Sequence, residues 1–165
     1  MGACLAVDPG SVRVGVAVSD PRRTVAVPLD TLRRSGDGTD VRELAAIAAE
    51  REVTDVVVGL PVGLSGREGP AAAEARAYAQ RLADALAPLP VRLVDERFTT
   101  TSAHQALHQA GRKGRTHRTV VDRTAAAILL QHVLDAEGAG ADPQAAARRG
   151  EPVPPRGGPV TGADA

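Results

Sequence analysis

Two valine-rich runs lie almost end to end at the start of the chain: ACLAVD at 3–8, closed by Pro9-Gly10, and RVGVAVSD at 13–20, which begins three residues after Gly10. Strands that close in sequence pair as a hairpin. Neither run alternates cleanly between apolar and polar residues. Both faces are therefore apolar, the pattern of central strands covered by layers on either side. The stretch TVAVPLDTL at 24–32 reads as a third strand, in which Pro28 marks an edge or a bulge.

Beyond the hairpin, strands and helices alternate. A helix is expected over 40–52, with Asp40 and Glu43 spaced as a capping box and Val41, Leu44, Ala45 and Ala48 on one face. DVVVG at 55–59 is a short buried strand, followed by the glycine-rich loop GLPVGLSGREG. Pro70 suits a first helical position, and the next helix runs to Ala87. PVRLVDE is a further strand. A helix begins near Thr101 and fades at Ala110-Gly111, the stretch GRKGRTHR reads as a loop, and a last helix covers about 118–136. The order implies a mixed α/β sandwich in which helices cover both faces of a sheet that opens with a hairpin. Residues 1–137 form one domain on this reading. Residues 138–165, rich in Gly, Pro and Ala, form a tail expected to stay disordered.

Composition narrows the function. Cys4 is the only cysteine, so neither an intrachain disulfide nor a thiolate metal cluster can form, and inside the first strand it reads as buried packing. No apolar run is long enough to span a membrane, and the start lacks the basic region of a signal peptide. A cytoplasmic protein with no membrane partner is expected, as a monomer or weak homodimer. His104 and His108 are four apart, but two ligands without a third make no zinc site. The glycine loop is not GxxxxGK[ST], and no GxGxxG occurs.

The chemistry is sought where buried strands end. Asp8 closes the first strand, Asp95-Glu96 a later one, and Asp122 lies near the start of the last helix. Sites in open sheets form beyond the carboxyl ends of strands. Converging carboxylates repel one another unless a hard divalent cation compensates, and Mg²⁺ takes such ligands while keeping several waters. Pattern alone leaves open whether Asp95 or Glu96 points inward. It also leaves Asp8 the alternative of capping the turn at Pro9-Gly10, and Asp122 that of favouring a helix N-terminus.

Four segments together carry a resemblance: VDPGSVRVGVAVSD at 7–20, VVVGLPVGLSGREG at 56–69, VRLVDERFTTTSA at 91–103 and VDRTAAAILLQHVLD at 121–135. The chain resembles the YqgF/RuvX-type family, Holliday junction resolvase-like proteins also described as pre-16S rRNA nucleases. The resemblance implies an RNase H-like fold with a five-stranded mixed sheet. It implies a nuclease dependent on Mg²⁺ or Mn²⁺ that matures the 5′ end of small-subunit ribosomal RNA, with structured precursor RNA, free or on ribosomal particles, as its partner. It assigns catalysis and metal binding to Asp8, Glu96 and Asp122, with Asp95 in support. Pro9 and the Arg/His-rich stretch before Asp122 depart from the family's usual residues without removing a ligand.

Basic groups complete the expectation. Arg13 either clamps a phosphate or pairs with a neighbouring acid. Arg97, if the chain there is extended, faces away from Glu96; it either locks the helix below or, if the backbone turns, reaches substrate. Arg112, Lys113, Arg115 and Arg118 make the densest basic patch, a wrapping loop for a nucleic-acid backbone or a solvated connector. Tyr78 and Phe98 are the only aromatics, so stacking on bases contributes little and phosphate contacts carry recognition. Competing readings are an actin-like ATP phosphotransferase, for which one domain is too small, a non-catalytic RNA-binding or transcription-associated module, and a nuclease for branched DNA that uses the same carboxylates.

Overall fold

The computed structural model describes residues 1–63, 65–98, 115–139 and 150–157, with the side chains of 98 and 115–124 outside the description. The helix expected from Thr101 lies outside the described residues.

The two valine-rich runs form strands β1 (Ala3–Pro9) and β2 (Arg13–Ser19), an antiparallel pair that brings Asp8 opposite Gly15. Strand β3 (Ala26–Arg33) pairs antiparallel with β2 and forms the sheet edge. Its register shifts opposite Val16 and Ala17, next to Pro28, so Pro28 is both on an edge and at a bulge. Helix α1 (Thr39–Glu50) leads to β4 (Val53–Leu60), which runs parallel to β1. Helix α2 (Pro70–Leu86), with Pro70 in its first turn, leads to β5 (Val91–Asp95), parallel to β4. A single 3-10 turn (Glu96–Phe98) follows, and helix α3 (Arg115–Gly138) crosses the sheet. The order β3-β2-β1-β4-β5, with an antiparallel meander on one side and parallel strands on the other, is the RNase H-like arrangement.

Among the described residues the sheet has six strands, not the five expected. Strand β6 (Glu151–Val153) pairs antiparallel with β5 and comes from the tail expected to be disordered. Gly150 lets it dock. Its φ is +95°, and a Cβ there would meet the Leu93 carbonyl oxygen at 2.6 Å. The tail is also tied to α2, since Gln80 Nε2 donates to the Pro154 carbonyl and the Arg156 amide donates to Asp84.

Alternation sorts the strands into two cores. One face of the β1–β2 hairpin carries Leu5, Val7, Val14, Val16 and Val18, which pack with Leu44 of α1 and Tyr78, Ala79 and Leu82 of α2. The opposite face carries Cys4, Ala6 and Ala17, with Val57 and Val94 from β4 and β5, against Ala126, Leu129, Leu130, Val133 and Leu134 of α3. Helices thus cover both faces, which is why neither valine run alternates. At about 25 cal/mol per Å² of apolar area, two buried faces supply the folding drive that neither could alone.

Asp40 is not the cap that its spacing with Glu43 suggested. Helix α1 begins at Thr39, and Asp40 is fully buried. Its carboxylate accepts from the Tyr78 hydroxyl at 3.0 Å, from Ser35 Oγ at 3.2 Å and from the Val41 amide at 2.9 Å. Burial pushes its pKa up, but these donors outweigh that and the balance is a lowered value.

Candidate active site

Asp8 and Glu96 meet at the carboxyl ends of the parallel strands. On β1, Cys4 and Ala6 face α3, so the pleat turns Asp8 to the same side. On β5, Val94 faces α3, and Glu96, two residues on, follows it. Between them runs β4, where Gly59 pairs with Val94 and follows Val58, the partner of Val7. Glu96 lies across this glycine. A Cβ on Gly59 would collide with the Glu96 carboxyl, reaching its Cδ at 3.2 Å and Leu129 Cδ2 at 3.3 Å. The missing side chain leaves room for the Glu96 carboxyl, which is hydrogen-bonded to Asp8.

Burial is the largest influence on Glu96, followed by the charge of Asp8, the hydrogen bond to it and the charge of Asp95. Together they push the Glu96 pKa up to about 9. A hydrogen bond between two carboxyls needs a proton on one of them, and the upward shift assigns it to Glu96. Two carboxyls pressed together at a half-buried strand end form a centre that a cation would relieve.

Asp95 belongs to the other face, with Leu93. Its carboxylate accepts from the Arg97 amide at 2.8 Å and from Arg97 Nε and Nη2 at 2.9 and 2.6 Å. Of the two courses open to the chain at Arg97, extended or turned, the structure takes the turn. The 3-10 turn curls it back, and Arg97 is paired with Asp95 rather than free to lock a helix. It remains exposed.

Asp122 is carried by α3, four residues before Ala126 and seven before Leu129, so the helical repeat places position 122 on the stripe that packs on the sheet. Its side chain lies outside the description. Among the described residues no three His, Cys, Asp or Glu side chains group closely enough to hold a metal ion. Arg13 opens β2 on the Asp8 face, since Val14 and Val16 face the other core. Arg112 and Lys113 lie outside the described residues. Arg115 and Arg118 are not in a loop as expected: α3 begins at Arg115, directly after Gly114, so both sit in its first turns.

A second polar cluster lies under the far end of α3 and carries no sequence signal, because its members are far apart in the chain. Arg23 Nη1 donates to Glu137 Oε2 at 2.9 Å and its Nη2 pairs with Asp55. Arg92 Nη2 donates to Asp55 at 2.7 Å and to Glu137 at 3.0 Å. Cys4, whose pKa burial pushes up to about 11, lies with its Sγ 3.5 Å from Asp55. This cluster ties the C-terminal end of α3 to β4 and β5. Gly59 was legible only as one of several loop glycines; an isolated glycine in a valine strand is the signal that singles it out.

The family profile described as RuvX, Holliday junction resolvase, matches residues 2–136. A Nocardioides protein named "Putative pre-16S rRNA nuclease" is 53% identical over 140 residues, covering 82% of this chain and 89% of its own length. A Leifsonia xyli protein of the same name is 46% identical over 158 residues, covering 96% of this chain and 98% of its own. The solved structure of T. thermophilus RuvC with a Holliday junction substrate aligns over 93% of this chain and 100% of its own, at TM-score 0.46 and 14% identity. With the match running through every strand from β1 to β5 and through most of α3, the chain belongs to the RuvX family.

Proposed function

We propose that the chain is a divalent-metal-dependent nuclease that hydrolyses RNA phosphodiester bonds in maturing the 5′ end of pre-16S rRNA in the cytoplasm. The observation that carries this is the Asp8–Glu96 carboxyl pair over Gly59, on the helix-covered face of the sheet at the strands' carboxyl ends. Relatives named for pre-16S rRNA, matched over nearly their full length, support the substrate.

Asp8 and Glu96, with Asp122 as third ligand, would hold Mg²⁺ or Mn²⁺. The donor set suits either ion, being three carboxyl groups that offer oxygen alone. When bound, such an ion activates water and stabilises the charge that develops on the phosphate oxygens. The protein's own part is to present oxygen ligands of defined spacing. Gly59 holds the Glu96 carboxyl against Asp8, and Asp95 holds Arg97 beside the same turn. Arg97 and Arg13, with Arg112, Lys113, Arg115 and Arg118 toward the start of α3, supply positive charge for the RNA backbone.

A second reading, cleavage of branched DNA, is favoured by the family's own description. Side-by-side cleavage of a precursor spanning the 16S 5′ end and of a four-way DNA junction, with Mg²⁺, Mn²⁺ or chelator, separates them. Metal-dependent cleavage of the RNA, lost in Asp8→Asn, is the expected result. Cleavage of the junction alone overturns the RNA assignment, and no cleavage of either overturns the nuclease reading.

A further inference from the structure

Arg13 and Arg33 are direct partners across the β2–β3 ladder. Both lie on the face that carries Asp8, because their neighbours Val14 and Leu32 enter the opposite core. Arg33 is exposed and Arg13 half-buried, and among the described residues neither guanidinium has a hydrogen bond or ion pair. Directly opposed residues hold their Cβ atoms about 4.5–5.5 Å apart, and like charges so placed destabilise a sheet. The arrangement has a uniting logic if an anion sits between them. Its location says which. Gly15 is the partner of Asp8, and Arg13 lies two residues from it, about 6.6 Å along the strand. Other arginines near this end are committed: Arg34 donates to the Gly10 carbonyl and Glu74, and Arg97 to Asp95.

We infer that Arg13 and Arg33 form a two-guanidinium seat for a backbone phosphate of the nucleic-acid strand, beside the phosphate that lies at Asp8 and Glu96. This rests on the nuclease reading and adds Arg33 and a shared geometry to it. A planar guanidinium on each side matches phosphate oxygens in a way that lysine does not. The seat sets where the strand lies relative to the carboxylates and contributes no ligand to the metal.

The test uses the full chain with Arg13→Gln, Arg33→Gln, the double variant and Arg33→Glu. Affinity for a labelled structured RNA is read against salt concentration in chelator, cleavage of the same RNA in Mn²⁺, and thermal melting without RNA. Charge-assisted hydrogen bonds to one phosphate lead us to expect roughly 10- to 100-fold weaker binding in the double variant, with a salt slope lower by roughly 1. KM should rise while kcat is nearly kept. Melting should be unchanged or raised, because a repulsive pair is relieved, and Arg33→Glu should raise it by pairing with Arg13 while binding worst. Unchanged affinity and slope in variants of an active wild type overturn the seat alone. A marked drop in melting temperature also overturns it, since the arginines would then serve a carboxylate of the chain itself. A wild type that neither binds nor cleaves any nucleic acid refutes the nuclease reading instead.

Discussion

Replacing Gly59 by alanine adds one methyl group at the point where Glu96 crosses β4. The backbone accepts alanine there, because Gly59 is not among the positive-φ glycines. In the unfolded chain the change restricts freedom and favours folding by about 0.4–1 kcal/mol. In the folded state the new Cβ would sit 3.3 Å from Leu129 Cδ2, a contact that a shift of a few tenths of an ångström relieves. Overpacking of this kind costs about 1–3 kcal/mol, so net stability should fall by no more than about 2.6 kcal/mol. The Glu96 carboxyl has no such latitude. It must swing away to restore ordinary contact, a displacement of about 1 Å. A misplacement of that size costs about 100-fold in rate, or about 2.7 kcal/mol. The assay is single-turnover cleavage of the precursor RNA across a Mn²⁺ titration, with melting curves alongside. Expected are a folded protein, a rate lowered about 100-fold and a raised metal requirement. Wild-type cleavage in Gly59→Ala would refute the reasoning, because it would show that Glu96 need not lie over β4 for the reaction.

Asp8→Asn and Asp122→Asn should each keep the fold and abolish metal-dependent cleavage, read by melting and by the same assay; retained activity in either removes that residue from the site. Glu137→Gln should destabilise the chain by about 3 kcal/mol in denaturant titration, since it leaves Arg23 and Arg92 competing for Asp55 in a largely enclosed cluster; a change under about 0.5 kcal/mol would show that the cluster is solvated. Acid sensitivity should follow Asp37, which the Thr39 hydroxyl and amide hold down to about 2, and Asp40, whose lowered pKa survives burial. Both are depressed in the fold, so their stabilisation is full above the ordinary carboxylate value of about 3.9 and lost as pH falls through the folded values. Melting should therefore fall between about pH 4 and 2, less steeply in Asp40→Asn, and an equal fall in that variant would count against Asp40. Gly150→Ala should release β6 and speed hydrogen exchange of the β5 edge amides with little loss of melting temperature, whereas unchanged exchange would show that β6 docks without it.

How much was legible depended on the range of the interaction. The hairpin, Pro28 at an edge bulge and Pro70 at a helix start all rest on neighbours within a few residues, and the sequence shows them. Asp8 was legible as a candidate because a carboxylate that ends a valine run stands out, and its meeting with Glu96 was not, because that partner is far away in the chain. Asp95 and Glu96 could not be told apart, because the choice depends on which face Val94 presents, and that is set by α3 more than thirty residues later. Asp40 misled because its partner is Tyr78, in another helix. Strand β6 was hidden because Glu151–Val153 has no strand character of its own; its ladder exists only once the β5 edge is in place. Arg97 stayed open between an extended and a turned chain, because only the end of the strand one residue before Glu96 decides it, and the turn there carries Arg97 back to Asp95.

The two faces of the hairpin differ in bulk as well as in partner. Toward α1 and α2 they offer Leu5, Val7, Val14, Val16 and Val18; toward α3, between the polar positions at the strand ends, they offer Cys4, Ala6, Gly15 and Ala17. That difference works as a shim of chosen thickness. Helix-to-sheet clearance follows the size of the side chains between them, so a layer of alanine and glycine lets α3 ride low over the strands. Aspartate is a short side chain, and a helix riding low is the condition under which position 122 can share a centre with Asp8. The small residues in this layer, which look like bland filler in an alanine-rich chain, set a working distance. Valine at Ala6 or Ala17 would thicken the shim and open the gap while both carboxyls on the sheet stayed where they are.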